Sequence, residues 1–190
     1  MKWPLQIIKI VLLTVLVNIG CVINRVTCSL DALHENASAL EVGVMMALFA
    51  FVPALFALRC GRWIDEVGPK KPIFYGISTA ALASCIPAIF DVSVFGLSPL
   101  YIASIINGIA IMLIAMAVQQ LIGYLSEAKS RTTNFAILAM GFSAASFSAP
   151  IISGYIIDYV SFRWTYIFAI ATAIILSLIH ISEPTRHLRI

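Results

Sequence analysis

The sequence predicts an all-α integral membrane protein of six transmembrane helices, and three observations carry that prediction. Hydrophobic residues make up 61% of the 190-residue chain and charged residues 11%, whereas charged residues average about a quarter of a soluble domain. The apolar residues form long runs, several near the roughly 20 residues that a helix needs to cross a hydrocarbon core about 30 Å thick. Lys and Arg gather in alternate short connections between these runs. The small net charge of +3, with no basic stripe interleaved with aromatics, leaves no nucleic-acid footprint, so the expected environment is the lipid bilayer.

The first run covers about residues 5–27 and is interrupted by Asn18, Asn24 and Arg25, and residues 28–41 read as a polar turn. A second run, 42–58, contains Pro53, which a membrane helix tolerates because neighbouring helices satisfy the freed carbonyl. Residues 59–71 then place four Arg or Lys, two carboxylates and two glycines between apolar runs, as a polar joint. The third run is 72–90, followed by a brief connection at 91–99. The fourth, 100–125, carries Asn107, Gln119 and Gln120. After a polar loop at 126–133, the fifth run, 134–157, is rich in the Gly, Ala and Ser that let membrane helices approach closely. A sixth begins at Trp164.

With the N-terminus in the cytoplasm, Lys2, Lys9, Arg59, Arg62, Lys70, Lys71, Lys129 and Arg131 all fall on the cytoplasmic side, and the opposite loops hold only Arg163. That is the positive-inside orientation, in a membrane expected to be the bacterial inner (plasma) membrane. The four cysteines lack C-x-x-C spacing and read as small buried hydrophobes. No P-loop, H-E-x-x-H metal pair or Ser-His-Asp set is present. No cofactor, metal or enzymatic activity is therefore expected.

One internal repeat stands out. Gly61-x-x-Ile64-Asp65-x-Val67-x-x-Lys70 recurs as Gly154-x-x-Ile157-Asp158-x-Val160-x-x-Arg163, displaced by 93 residues throughout. One copy follows the second run and the other the fifth, so they fall on opposite membrane faces. Two inverted three-helix repeats, about 1–95 and 96–175, would produce this pattern. Chance similarity of short loops is the alternative.

Gly61, Asp65, Gly68 and Lys70 resemble the signature between helices two and three of the major facilitator superfamily, usually G-x-L-A-D-R-x-G-R-[RK]. Gly154, Asp158 and Phe162-Arg163-Trp164 resemble the end of helix five and the start of helix six in that superfamily. The resemblance implies the N-terminal half of a 12-helix transporter that moves a small solute, with or without a coupling ion, by alternating access. A C-terminal six-helix half would be its partner, and this chain by itself would be inactive. It also implies that Asp65 latches the two halves on the cytoplasmic side, with Lys70 and Lys71 meeting carboxylates or lipid phosphates. Gly61 and Gly68 are expected to permit unusual backbone conformations or close approach. Trp63, Ile64, Glu66 and Pro69 depart from the pattern, and the last two remove cations from the usual basic cluster.

Thr14, Asn18, Cys21 and Arg25 share one helical face. Facing a cavity, that stripe would line a substrate pathway, with Arg25 attracting an anionic or polar solute; alternatively Arg25 snorkels to the interface. Asn107 and Gln119 are further pathway candidates, with helix-to-helix hydrogen bonds as the competing role. No carboxylate lies in the middle of a span, so any proton coupling would use a loop-proximal group or the other half.

Residues 176–186 read as the translation of a transposon-end sequencing adapter, so 176–190 is expected to be an artefact and the sixth helix truncated. Against the transporter stands a self-contained six-helix structural or interaction protein, dimerising through the small-residue face of the fifth helix.

Overall fold

The computed structural model describes the backbone of residues 5–182 and the side-chain surroundings of residues 7–175. Regular structure among them is entirely helical: α1 (Leu5–His34), α2 (Ala39–Val67), α3 (Lys70–Ile89), a single turn α4 (Val92–Phe95), α5 (Ser98–Leu125), α6 (Arg131–Tyr159) and α7 (Phe162–Ser182). Five of them, α1, α2, α3, α5 and α6, are long and apolar enough to cross a membrane, and Phe162–Ile175 is a shorter apolar segment.

Two boundaries differ from the sequence expectation. The segment read as a polar turn after residue 27 continues α1 to His34, because Cys28, Asp31 and Ala32 bury against other helices. Asn36, at φ 63°, then turns the chain, and the Ala37 N–H reaches back to the Ala32 carbonyl at 2.9 Å. A capping box starts α2: the Ser38 N–H donates to Glu41 Oε2 at 2.7 Å and the Glu41 N–H to Ser38 Oγ at 3.3 Å. The second difference is the polar joint at 59–71, most of which is helical. Gly68, at φ +75°, is where α2 stops, and only Gly68 and Pro69 separate it from α3.

Helices α1 and α5 form the centre. α1 packs on α6, α7 and α5, α5 packs on α3 and α2 as well, and α3 packs on α7. One apolar cluster, including Ile7, Ile64, Ile73, Ala117 and Ile122, fills the end where α1 begins. Another, with Cys28, Met45, Leu100 and Tyr166, fills the end where α1 finishes. Glycines let the axes close up. At Gly108 a Cβ would strike the Phe49 carbonyl oxygen and Pro53 Cγ, so α5 lies directly against the α2 carbonyl that Pro53, having no N–H, leaves without its helical donor. The outer helices are less covered: in α2 only Met45, Pro53 and Ile64 are buried.

The adapter-like stretch lies partly within α7, and its remainder falls outside the described residues.

Candidate functional site

Polar contacts join an otherwise oily α1 to four of its neighbours. Asn24 Nδ2 donates to Ser84 Oγ on α3 at 2.8 Å, and the Thr27 and Ser153 hydroxyls meet between α1 and α6 at 2.9 Å. The Tyr166 hydroxyl on α7 donates to Asp31 Oδ2 at 2.9 Å. From α5, Asn107 Nδ2 donates to the Cys21 carbonyl at 2.9 Å. Each polar group thereby escapes the cost of standing unpaired in an apolar interior. The exception is Asn107 Oδ1, which is buried and accepts nothing.

The stripe at Thr14, Asn18, Cys21 and Arg25 divides. Thr14 is buried and donates to the Ile10 carbonyl of its own helix at 2.7 Å. Asn18 and Cys21 line a small hollow between α1, α5 and α6, together with Val17, Ile111, Ile114, Ala115 and Phe142. Arg25, half-buried, places its guanidinium carbon 5.2 Å from the centre of the Phe49 ring on α2. That cation–π contact holds the charge beside α2 one turn before Pro53, apart from the hollow. Asn107 sits one turn before Ile111 on α5, inside the protein. Gln119 is exposed, about 100° around the helix from the neighbour that makes a pairing.

At the signature, Asp65 Oδ1 accepts a 2.7 Å hydrogen bond from Gln120 Nε2 of α5, a donor that the sequence reading passed over. Gln120 Oε1 is buried without a donor. Of the two signature glycines, Gly68 has the positive φ, whereas Gly61 is helical and a Cβ there would make ordinary contact with Met116 at 3.5 Å. Lys70 and Lys71 are exposed in the first turn of α3. Cations at a helix N-terminus oppose the macrodipole, so helix stability does not explain them.

In the second copy of the motif, Asp158 is exposed and makes no side-chain hydrogen bond among the described residues, and Gly154 has open space where a Cβ would sit. Arg163 is exposed near Asp91. Among the described residues no three or more His, Cys, Asp or Glu converge as a metal site.

Comparison with known proteins decides the family. The family model described as Major Facilitator Superfamily matches residues 10–189. The chain belongs to that superfamily. It is 29% identical over 178 residues to multidrug resistance protein 1 of Bacillus subtilis, a match covering 89% of this chain and 42% of the relative. It is 31% identical over 187 residues to the class H tetracycline resistance protein of Pasteurella multocida, covering 95% and 45%. The class D tetracycline resistance protein of Salmonella ordonez is 29% identical over 124 residues, covering 65% and 30%. The chain thus spans less than half the length of these superfamily relatives. The buried amides and hydroxyls of α1 and α5 form its polar interior.

The residues missed by sequence reasoning were Asn24, Thr27, Asp31, Ser84, Ser153, Tyr166 and Gln120. A signal existed for three of them: Asn24, Thr27 and Asp31 recur at helical spacing once α1 is allowed to run past residue 27.

Proposed function

We propose that this chain is the N-terminal half of a secondary active or facilitative transporter, built as two inverted repeats, that exports an organic solute by alternating access across the bacterial inner membrane. The observation that carries this reading is the helix packing. Exchanging α1, α2 and α3 with α5, α6 and α7 maps the α1–α6 contact onto α5–α2, and α1–α7 onto α5–α3. An inverted-repeat half has that symmetry. The 93-residue repeat of the signature supports it from the sequence side. Export of an organic solute is supported by the relatives, whose names are multidrug and tetracycline resistance proteins.

In this reading the solute, and any coupling ion, passes along the hollow where Asn18 offers an amide among apolar walls. Arg25 acts on polar or anionic groups from the Phe49 side. Asp65, Gly68, Lys70 and Lys71 form the cytoplasmic latch, and Gly154, Asp158 and Arg163 are the equivalent positions outside. The sparsely buried faces of α2 and α6 await a C-terminal six-helix half. The N-terminus lies in the cytoplasm, and residues 176–190 derive from an adapter.

The test is tetracycline accumulation in bacteria expressing the chain with its downstream coding sequence restored from the source gene. Lower accumulation than in vector controls is expected, together with no uptake by the purified chain in liposomes. A stop codon directly after residue 175 would favour the self-contained six-helix protein, and transport by the purified chain would refute the half-transporter.

A further inference from the structure

We infer that Gln120 is the positioning residue of the latch: its amide holds Asp65 at the end of α2 and ties that carboxylate to α5, the helix whose other face lines the hollow. The inference rests on the transporter reading above and adds to it how the pathway and the latch communicate.

Three features carry it. The Gln120 Nε2 to Asp65 Oδ1 hydrogen bond, at 2.7 Å, joins residues 55 positions apart and belongs to different helices, so it forms only when the ends of α2 and α5 are together. The amide has one acceptable orientation. Turned over, its oxygen would face the carboxylate oxygen, and it keeps the donor toward Asp65 although Oε1 is thereby left buried and unpaired. A side chain that tolerates an orphaned acceptor to keep a donor in place is anchored by that donor. Finally, α5 is unbroken from Ser98 to Leu125, with its proline confined to the first turn. Ile111, Ile114 and Ala115 at the hollow and Gln120 at the latch lie on one rigid rod, Ala115 and Gln120 separated by about 8 Å along its axis.

The sequence explains why such a tie is useful in this chain. Glu66 and Pro69 stand where the usual signature has basic residues, so cations that would orient Asp65 from within the loop are fewer. A neutral amide from the neighbouring helix supplies the donor instead. Because it carries no charge, it neither titrates nor is strongly screened by salt. A displacement of α5 as the hollow fills or empties moves Gln120, and Asp65 moves with it or is released.

The test uses a thiol reporter at Ala117, which is fully buried one turn before Gln120 and packs in the cluster that contains Ile64. In the full chain in nanodiscs, with Cys60→Ser and Cys85→Ala removing the half-buried native thiols, Ala117→Cys is reacted with a membrane-impermeant maleimide. Gln120→Glu sets two carboxylates together and is expected to speed labelling about tenfold, equivalent to ~1.4 kcal/mol of coupling. Gln120→Leu should speed it too. The exchange Asp65→Asn with Gln120→Glu rebuilds the bond with its polarity reversed, and labelling should return to within about twofold of the parent. A role for Gln120 in packing alone, without the bond, predicts no rescue by the exchange. Unchanged labelling in both single variants, or an exchange variant as fast as Gln120→Glu, overturns the inference. If labelling follows the expected pattern while the completed protein leaves tetracycline accumulation unchanged, the export reading falls and the tie stands.

Discussion

Tyr166 and Asp31 meet inside the protein: the tyrosine hydroxyl, on a residue 1% exposed, donates at 2.9 Å to a carboxyl group on a residue 7% exposed, fastening α7 to α1. Cys28 on the same face of α1 lies 3.8 Å from the same hydroxyl.

That relationship makes Tyr166→Phe informative, since it removes one oxygen and leaves the ring in place. Interhelical hydrogen bonds in membrane proteins average ~0.6 kcal/mol and reach ~1.7. The abandoned carboxyl group puts this loss at the upper end, about 1–2 kcal/mol. Asp31→Asn keeps an acceptor for the hydroxyl and should cost less. Equilibrium unfolding in mixed micelles would rank the two variants; equal stability of Tyr166→Phe and the parent would show that the bond contributes nothing.

Two glycines should respond oppositely to alanine. At Gly108 the new methyl group meets the Phe49 carbonyl and Pro53, forcing α5 away from α2 at a cost of about 1–3 kcal/mol. At Gly154 nothing lies within 4 Å and the backbone is helical, so Gly154→Ala should be neutral or stabilising by up to ~1 kcal/mol. The same unfolding assay checks both, and a destabilised Gly154→Ala would point to a neighbour supplied by another part of the protein.

Along the proposed pathway, Asn18→Leu should abolish or strongly reduce export by the completed protein while insertion and stability stay normal, because Asn18 lines the hollow and is half-buried. Asn107→Leu removes an interhelical donor and also an unpaired acceptor, so its stability change should stay within about 1 kcal/mol. Accumulation assays on matched expression levels separate the two effects.

One pH dependence follows from the short connection before α5. Asp91 caps α4, and the Ser93 backbone N–H, followed by the Ser93 hydroxyl, holds its carboxyl below the usual 3.8, with Arg163 acting in the same direction. A depressed folded value means that the cap's contribution is fully present above the unfolded aspartate value, about 3.9. It is lost as the pH falls through the lower, folded value. Amide protection at residues 93–95, corrected for intrinsic exchange, should therefore drop below about pH 4 in the parent. Asp91→Ala should show that low protection at every pH.

Much of this architecture was legible from the chain because hydrocarbon permits few solutions. A run of apolar residues near 20 long must satisfy its backbone internally, and a helix does so. Run length and the placement of Lys and Arg therefore separate the helices before any contact is known. Helix ends were less legible: the polarity of Asp31, His34 and Glu35 suggested a turn, yet α1 continues because Asp31 finds a buried donor from a helix more than a hundred residues away. The polar joint at 59–71 misled for a related reason. Charged residues on the last turns of α2 keep their helix and simply face outward.

Sequence alone determined that this is a helical membrane protein, where its apolar runs lie, and that Gly61 to Lys70 is echoed by Gly154 to Arg163. Those properties depend on composition and spacing along one chain. Tertiary structure alone decided which polar groups meet. Gln119 and Gln120 are adjacent and chemically identical, yet a rotation of about 100° per residue gives one to the exterior and the other to Asp65. Whether Arg25 reached the hollow or Phe49 was settled in the same way, by the packing of α1 against α2 and α5, which no local pattern encodes.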